Sequence, residues 1–327
     1  MADLRTTYLG LSVRNPILAS SCGITSTVNG VRRCAEAGAG AVVLKSLFEE
    51  QILAELGGAE GSAGSAFPDE ARAYLHELEH SHGPRSYLRF IEDAKKAVDV
   101  PIIASVNCVS GERWMDYAAQ IEAAGADALE LNIALMPLSL NETADQIEQH
   151  LFSIVRGVRN HTKLPLTAKI GPYFTALPRV ISATTEAGLE GVVLFNRFYQ
   201  LDIDPVALKP IPGNRFSDSD ELVLPLRWVS ILFPKITCDF SVSTGVHTGI
   251  DAAKAIVAGA RVVQIASALY TQKVSVISRI LSELGEWLDA NGYATVDDAR
   301  GRFATSKHYR PEDLERTQYV KALTARE

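Results

Sequence analysis

Unbroken apolar runs recur along the chain at intervals too wide for hairpins: ILAS (17–20), AVVL (41–44), IIAS (102–105), ALELN (128–132), LTAKI (166–170), GVVLF (191–195), CDFSVS (238–243) and VVQIA (262–266). They show little apolar–polar alternation, the pattern of strands buried on both faces of a parallel sheet. Helical periodicity fills most of the gaps, over 29–37, 87–98, 112–124, 145–160, 176–187, 249–258 and 274–290. AEAGAGAVVL (35–44) is echoed by EAAGADALEL (122–131), TEAGLEGVVL (185–194) and IVAGARVVQI (256–265). Each carries an alanine-rich helical end, then a glycine where a helix stops, then a strand. Eight such units predict an α/β fold of the closed (β/α)8, or TIM, barrel type. An open doubly wound sheet is disfavoured because no GxGxxG follows the first run.

TTYLGLSVRNP (6–16) reads as an N-terminal hairpin closing the barrel floor. Long insertions are expected after strands two and six, over 50–84 and 197–226, where Gly, Ser, Pro and acidic residues gather. Residues 1–292 are assigned to the barrel, and the charged stretch 293–327 to an extension packed on it or at a subunit contact.

Composition narrows the function classes. The net charge is −7, and Lys and Arg form no long cluster, which disfavours nucleic acid and anionic membrane as partners. The apolar runs are too short to cross a bilayer, and MADLRTTYLG does not read as a secretory leader. Cys22, Cys34, Cys108 and Cys238 lie far apart, without the spacing of zinc, iron–sulfur or disulfide frameworks. No metal site and a cytoplasmic location are expected.

A barrel of this type carries its chemistry at the C-terminal strand ends. The polar residues there are Ser20 and Ser21, Lys45 and Ser46, Ser105 and Asn107, Asn132, Lys169, Asn196 and Arg197, Ser243 to Gly245, then Ala266 and Ser267. Burying a lysine is costly unless a partner waits for it, so Lys45 and Lys169 stand out. A single Asn or Ser at a strand end is as often a simple cap. STGVHTG (243–249) and IASAL (265–269) occupy the last two turns, where barrels commonly bind phosphate.

NPILASS, AVVLKS, ELN, AKIGPYF, LFNRF, STGVHTG and VVQIASAL stand in the order seen in soluble-class dihydroorotate dehydrogenases, across roughly residues 6–290. With SLFEEQI and FNRFYQ the chain resembles most the dihydroorotate dehydrogenase-like members of that family. The resemblance implies FMN held over the strand ends, hydride exchange between flavin N5 and a CH–CH or C=C bond, and a role in pyrimidine biosynthesis. It implies that Lys45 approaches flavin and substrate and that Lys169 offsets negative charge on reduced flavin. Asn132 and Asn196 would hydrogen-bond flavin and substrate. Ser20, Ser21, Ser46, Ser105, Asn107 and Phe195 would line the ring site, and Thr244, Gly245, Ala266 and Ser267 would take the phosphate. A homodimer is expected by the same analogy.

The pattern also departs from that family. Its Asn-Leu-Ser-Cys-Pro-Asn motif reads Asn132-Ile133-Ala134-Leu135-Met136-Pro137 here, so Leu135 stands where the family's proton-accepting cysteine would be. Cys108 is a candidate replacement, against the alternative of an inert thiol. Arg197 suggests a grip on a substrate carboxylate, or an ion pair with Glu49, Glu50 or Asp202. Three functions stay open: an FMN oxidoreductase acting on a small anionic substrate, a phosphate-binding barrel lyase or isomerase, and a non-catalytic flavin subunit. An electron-transfer protein is a candidate partner.

Overall fold

In the computed structural model, which describes residues 2–48, 83–107 and 114–313, each of the eight expected runs is a strand. In chain order the strands are β1 (Thr6–Tyr8), β2 (Leu11–Val13), β3 (Ile17–Ala19), β4 (Ala41–Val43), β5 (Leu47–Phe48), β6 (Ile102–Asn107), β7 (Ala128–Ile133), β8 (Leu166–Ile170), β9 (Gly191–Leu194), β10 (Leu201–Asp204), β11 (Lys209–Pro212), β12 (Asp239–Ser243) and β13 (Val262–Ile265). Eight of them pair in parallel in the order β4-β3-β13-β12-β9-β8-β7-β6, and a β4–β6 pairing closes the ring. Helices return the chain between them, so the fold is a (β/α)8 barrel.

The repeated glycines do what their position requires. Gly188 and Gly259 lie at φ of +115° and +121°, where a Cβ would be strained, and each ends a helix just ahead of a strand. Helix starts are fixed by threonine caps. Thr143 and Thr248 each close a capping box, with Gln146 and Asp251 respectively.

Side chains alternate along each strand, and the alternation builds the barrel in layers. Leu18, Val43, Ile103, Ala128 and Val262 point inward near the floor and pack on Tyr8, Leu9 and Val13 of the β1–β2 hairpin. The predicted hairpin is therefore the plug of the barrel. Two residues further up, the same faces carry Ser20, Ser105, Glu130, Thr167, Ser241 and Gln264, all buried. Outward faces such as Ile17, Val42, Ile102 and Leu129 join the larger apolar layer under the helices.

The segment after β9 differs from expectation. Residues 197–226 are not merely a loop: β10 and β11 form an antiparallel hairpin, a 3-10 turn covers Ser219–Leu222, and the helix Val223–Leu232 begins inside the segment. That helix was not anticipated, because its apolar residues give no one-sided periodicity and Pro225 interrupts them; in the fold, Pro225, Val229 and Leu232 are buried. The segment after β4, with SLFEEQI, falls largely outside the described residues. Past the barrel, Gly301 N and Phe303 N donate to Ile256 O and Val257 O at 3.0 and 2.9 Å, and Ser230 and Tyr309 hydroxyls meet at 2.7 Å. Among the described residues, no helix is long and apolar enough to cross a membrane, and no cluster of His, Cys, Asp or Glu could hold a metal ion.

Candidate active site

A cavity of about 360 Å3 opens at the C-terminal ends of the strands, between β8, β9, β12 and β13. Lys169 and Asn196 line one part of it, and Thr244, Gly245, Ala266 and Ser267 another. Ser21 is also in the wall. The volume falls in the range of small-molecule sites.

Lys169 is the buried cation of the site. It lies within β8 on the inward register, level with Asn132, and its Nζ donates to Ser20 Oγ at 3.2 Å. Burial pushes its pKa below the ordinary lysine value; the nearby Glu130 and Cys22 pull it back up, and the charge of Lys45 adds to the lowering. Lys45 is thus close enough for its charge to act on Lys169. Lys45 is half-buried, with its ammonium 5.3 Å from the centre of the Phe48 ring. It does not line the cavity itself.

Around this charge runs a set of side-chain bonds between strand ends. Asn196 Nδ2 donates to Asn132 Oδ1 at 2.9 Å. Ser21 and Ser46 hydroxyls meet at 3.0 Å, and Ser46 and Ser105 at 2.8 Å. Asn107 is level with Asn132 on the neighbouring strand. Ser20, Ser46, Ser105, Asn107, Asn132 and Phe195 do not line the cavity: Ser20 and Ser105 belong to the buried inner layer, and Phe195 to the main apolar layer. Cys108 lies outside the described residues. Leu135 is partly buried and packs against the main apolar layer.

Arg197, expected either to grip a substrate carboxylate or to form an ion pair, lines the cavity and is ion-paired. Its Nε and Nη2 donate to the two carboxylate oxygens of Glu221 at 2.8 and 3.0 Å, and Nη1 donates to Asn214 O at 2.8 Å. The fork that could have held a substrate carboxylate is paired with Glu221 rather than with Asp202, while Glu49 and Glu50 lie outside the described residues. Arg197 consequently ties the insertion after β9 to the mouth.

The loops after β12 and β13 supply the other end of the cavity. Thr244 and Gly245 both have positive φ, 82° and 79°, and a Cβ on Gly245 would sit 2.4 Å from Leu222 N. Only a residue without a side chain fits there. Ser217 N donates to Ser267 Oγ at 3.0 Å, and Ser217 Oγ contacts Gly245 N and His247 Nε2, each at 3.4 Å. His247 is buried against Ser217 and Gln272, which makes it a structural brace of the loop. Tyr270 Oη accepts from Gly23 N at 2.6 Å, and its ring stacks on Phe216 with centroids 5.3 Å apart.

Several of these residues carried no signal at the strand ends. Arg215, Phe216 and Ser217 come from the insertion, and Tyr270 from the short helix after β13. Gln264 and Glu130 lie inside strands, where a polar residue on the inward register was the available sign.

The residues present fit a phosphorylated flavin. The cavity wall combines the buried cation Lys169, the Gly245 turn with its positive φ, the rings of Phe216 and Tyr270, and hydroxyls such as Thr244 and Ser267. Thr244, Gly245, Ala266 and Ser267 would hold the phosphate, and Lys169 the ring edge.

Comparison with known proteins bears on the same geometry. The family model described as "Dihydroorotate dehydrogenase" matches residues 71–288. Among curated relatives, "Dihydroorotate dehydrogenase B (NAD(+)), catalytic subunit" of Methanocaldococcus jannaschii is 26% identical over 299 residues, 87% of this chain and 93% of that one. The protein of the same name from Pyrococcus furiosus is 26% identical over 311 residues, 91% of this chain and 98% of that one. Among solved structures, ligand-free dihydroorotate dehydrogenase from Eimeria tenella superimposes with a TM-score of 0.70 at 18% identity, covering 92% of this chain and 91% of that one, and so shares the fold. With the family model spanning most of the barrel, the chain belongs to the dihydroorotate dehydrogenase family.

Proposed function

We propose that the chain is an FMN-dependent oxidoreductase of the CH–CH class, acting on a small carboxylated substrate, with dihydroorotate and orotate as the pair its kinship points to. The observation that carries this reading is Lys169: a buried ammonium on the inward face of β8, held by Ser20 and lining the same cavity as the Thr244–Gly245 and Ala266–Ser267 loops. When bound, FMN would supply the hydride acceptor and donor. Lys169 supplies a fixed positive charge where negative charge develops. Asn132 and Asn196, already joined, offer their remaining amide groups to a planar substrate. Lys45 adds a second cation at the mouth, suited to an anionic ligand.

The proton is the weak point of the dihydroorotate reaction in this chain. Leu135, at the position of the family's base, accepts none. Dihydroorotate should therefore reduce the flavin slowly, and Leu135→Cys should speed that reduction by about tenfold or more. The test is an anaerobic mixing experiment on the purified yellow protein, with dihydroorotate and related dihydro-acids. A protein that neither copurifies with flavin nor takes up added FMN overturns the reading.

Relatives are named as catalytic subunits, which favours an electron-transfer partner that reoxidises the flavin. In the same reading residues 1–292 are the flavin barrel, 293–327 an extension packed on it, and the protein is a cytoplasmic homodimer in pyrimidine synthesis. Sedimentation of the holoprotein tests the dimer.

A further inference from the structure

Glu130 stands inside β7, fully buried and two residues before Asn132 on the same inward face. Its Oε2 accepts from Gln264 Nε2 at 2.7 Å, while Oε1 has no hydrogen-bond partner among the described residues. A carboxyl group in that place is costly unless a cation answers it. The cation is Lys169, and a continuous chain of donors joins the two. Lys169 Nζ donates to Ser20 Oγ at 3.2 Å, Ser20 Oγ to Gln264 Oε1 at 3.0 Å, and Gln264 Nε2 to Glu130. Each donor points away from the ammonium and towards the carboxylate. The chain is therefore polarised: turning the Gln264 amide would break two bonds, and turning the Ser20 hydroxyl would break the one it donates.

We propose that Glu130 is a positioning residue: it keeps Lys169 protonated and aimed at the cofactor end of the cavity, by its charge and through the Gln264–Ser20 link. Its meaning for catalysis rests on the flavin reading above; the pairing itself belongs to the chain alone. Other groups around the pair do not replace it. Lys169 also faces Cys22 and Lys45, and the second of these opposes its charge. Glu130 faces Tyr8 from the barrel floor and Tyr87 from the helix Pro84–Ala97. Both are phenols held neutral by burial, and both spend their hydroxyls elsewhere, on Thr167 Oγ1 at 3.4 Å and Ser105 O at 3.0 Å. Burial works against the charged form of each partner, and each partner offsets that for the other.

The test follows the Lys169 ammonium by NMR in isotope-labelled full-length protein, first without flavin and then with FMN, in the native chain and in Glu130→Gln. Lys169→Met assigns the signal. Glu130→Gln should lower the deprotonation midpoint of Lys169 by about one pH unit or more, a tenfold change. Because binding and titration are reciprocal, Lys169→Gln should raise the Glu130 carboxyl midpoint by a similar amount, and this second variant serves if the first does not fold. Unmoved midpoints overturn the pairing even where FMN binds normally. A shifted Lys169 in a chain that takes up no FMN upholds the pairing and sinks the flavin reading instead. A purely structural Glu130 would lower stability while leaving the Lys169 midpoint in place, which also overturns the proposal.

Discussion

Asn196 and Asn132 are joined side chain to side chain at 2.9 Å, although their strands β9 and β7 do not touch. The bond arches over the end of β8, the strand that carries Lys169, and Asn196 N also donates to Ile170 O at 2.8 Å. Each asparagine thus fixes the other above the cation. Alanine at either position should lower kcat/KM by about 10- to 100-fold, and the two losses should overlap by about 1 kcal/mol in a double-mutant cycle. Fully additive losses would show that the bond contributes nothing to the site.

Gly245→Ala should loosen the phosphate end of the cavity. The new Cβ would meet Leu222 N at 2.4 Å on a backbone at φ +79°, so the loop must move. A cost of about 1–3 kcal/mol in stability and a tenfold or larger loss of FMN affinity are expected. Gly10→Ala is the control, since Gly10 has a similar φ of +76° but open space around it. It should cost about 1 kcal/mol and leave flavin binding unchanged. Calorimetry and flavin titration read both.

The Arg197–Glu221 pair is partly buried, with side-chain exposures of 17% and 31%. Arg197→Ala and Glu221→Ala should each destabilise the protein by about 1–2 kcal/mol, with a coupling near 1 kcal/mol. Because Arg197 is committed to Glu221, both variants should change KM by the same small factor. A KM rise confined to Arg197→Ala would restore it as a substrate ligand.

Lys169 sets a sign for the pH dependence of stability. Its native pKa lies below the ordinary lysine value of 10.5, with burial as the main cause. Between those two values the unfolded chain holds a proton that the native chain has lost, so stability rises with pH through that window. Glu130→Gln should extend the window downward, towards neutral pH. Denaturant unfolding of the flavin-free proteins at a series of alkaline pH values checks this, and a variant whose curve runs parallel to the native one contradicts it.

Cys34 and Cys238 have thiols pushed up to about 12 by burial. Neither should react with a thiol reagent at mildly alkaline pH in the native state, because the thiolate is the nucleophile and is scarce there. Both should react after denaturation. Mass mapping of labelled peptides separates them from Cys22 and Cys108.

The barrel was legible from the chain because each strand is an apolar run, and four of the eight have a helix-ending glycine before them, as at Gly188 and Gly259. Lys169 was legible because a charge at the end of such a run demands an explanation. Glu130 was not: it interrupts ALELN in mid-strand, and only the inward register of β7 shows that it shares an interior with Lys169. The β10–β11 hairpin was hidden for a different reason. Nearly all of its residues are exposed, so no burial pattern marks it, and Pro210 and Pro212 obscure the strand signal. Phe216 and Ser217 reach the site from that same insertion, where neither periodicity nor spacing could place them.

Among the described residues, the stopper formed by Tyr8, Leu9 and Val13 closes the floor of the interior, opposite the mouth. Protons around Glu130, Ser241 and Thr167 should therefore trade with solvent chiefly through the mouth, past Lys169. Anything lodged there corks the bottle, so the hydroxyl and amide hydrogens of that inner layer should exchange with heavy water at the rate at which the ligand leaves.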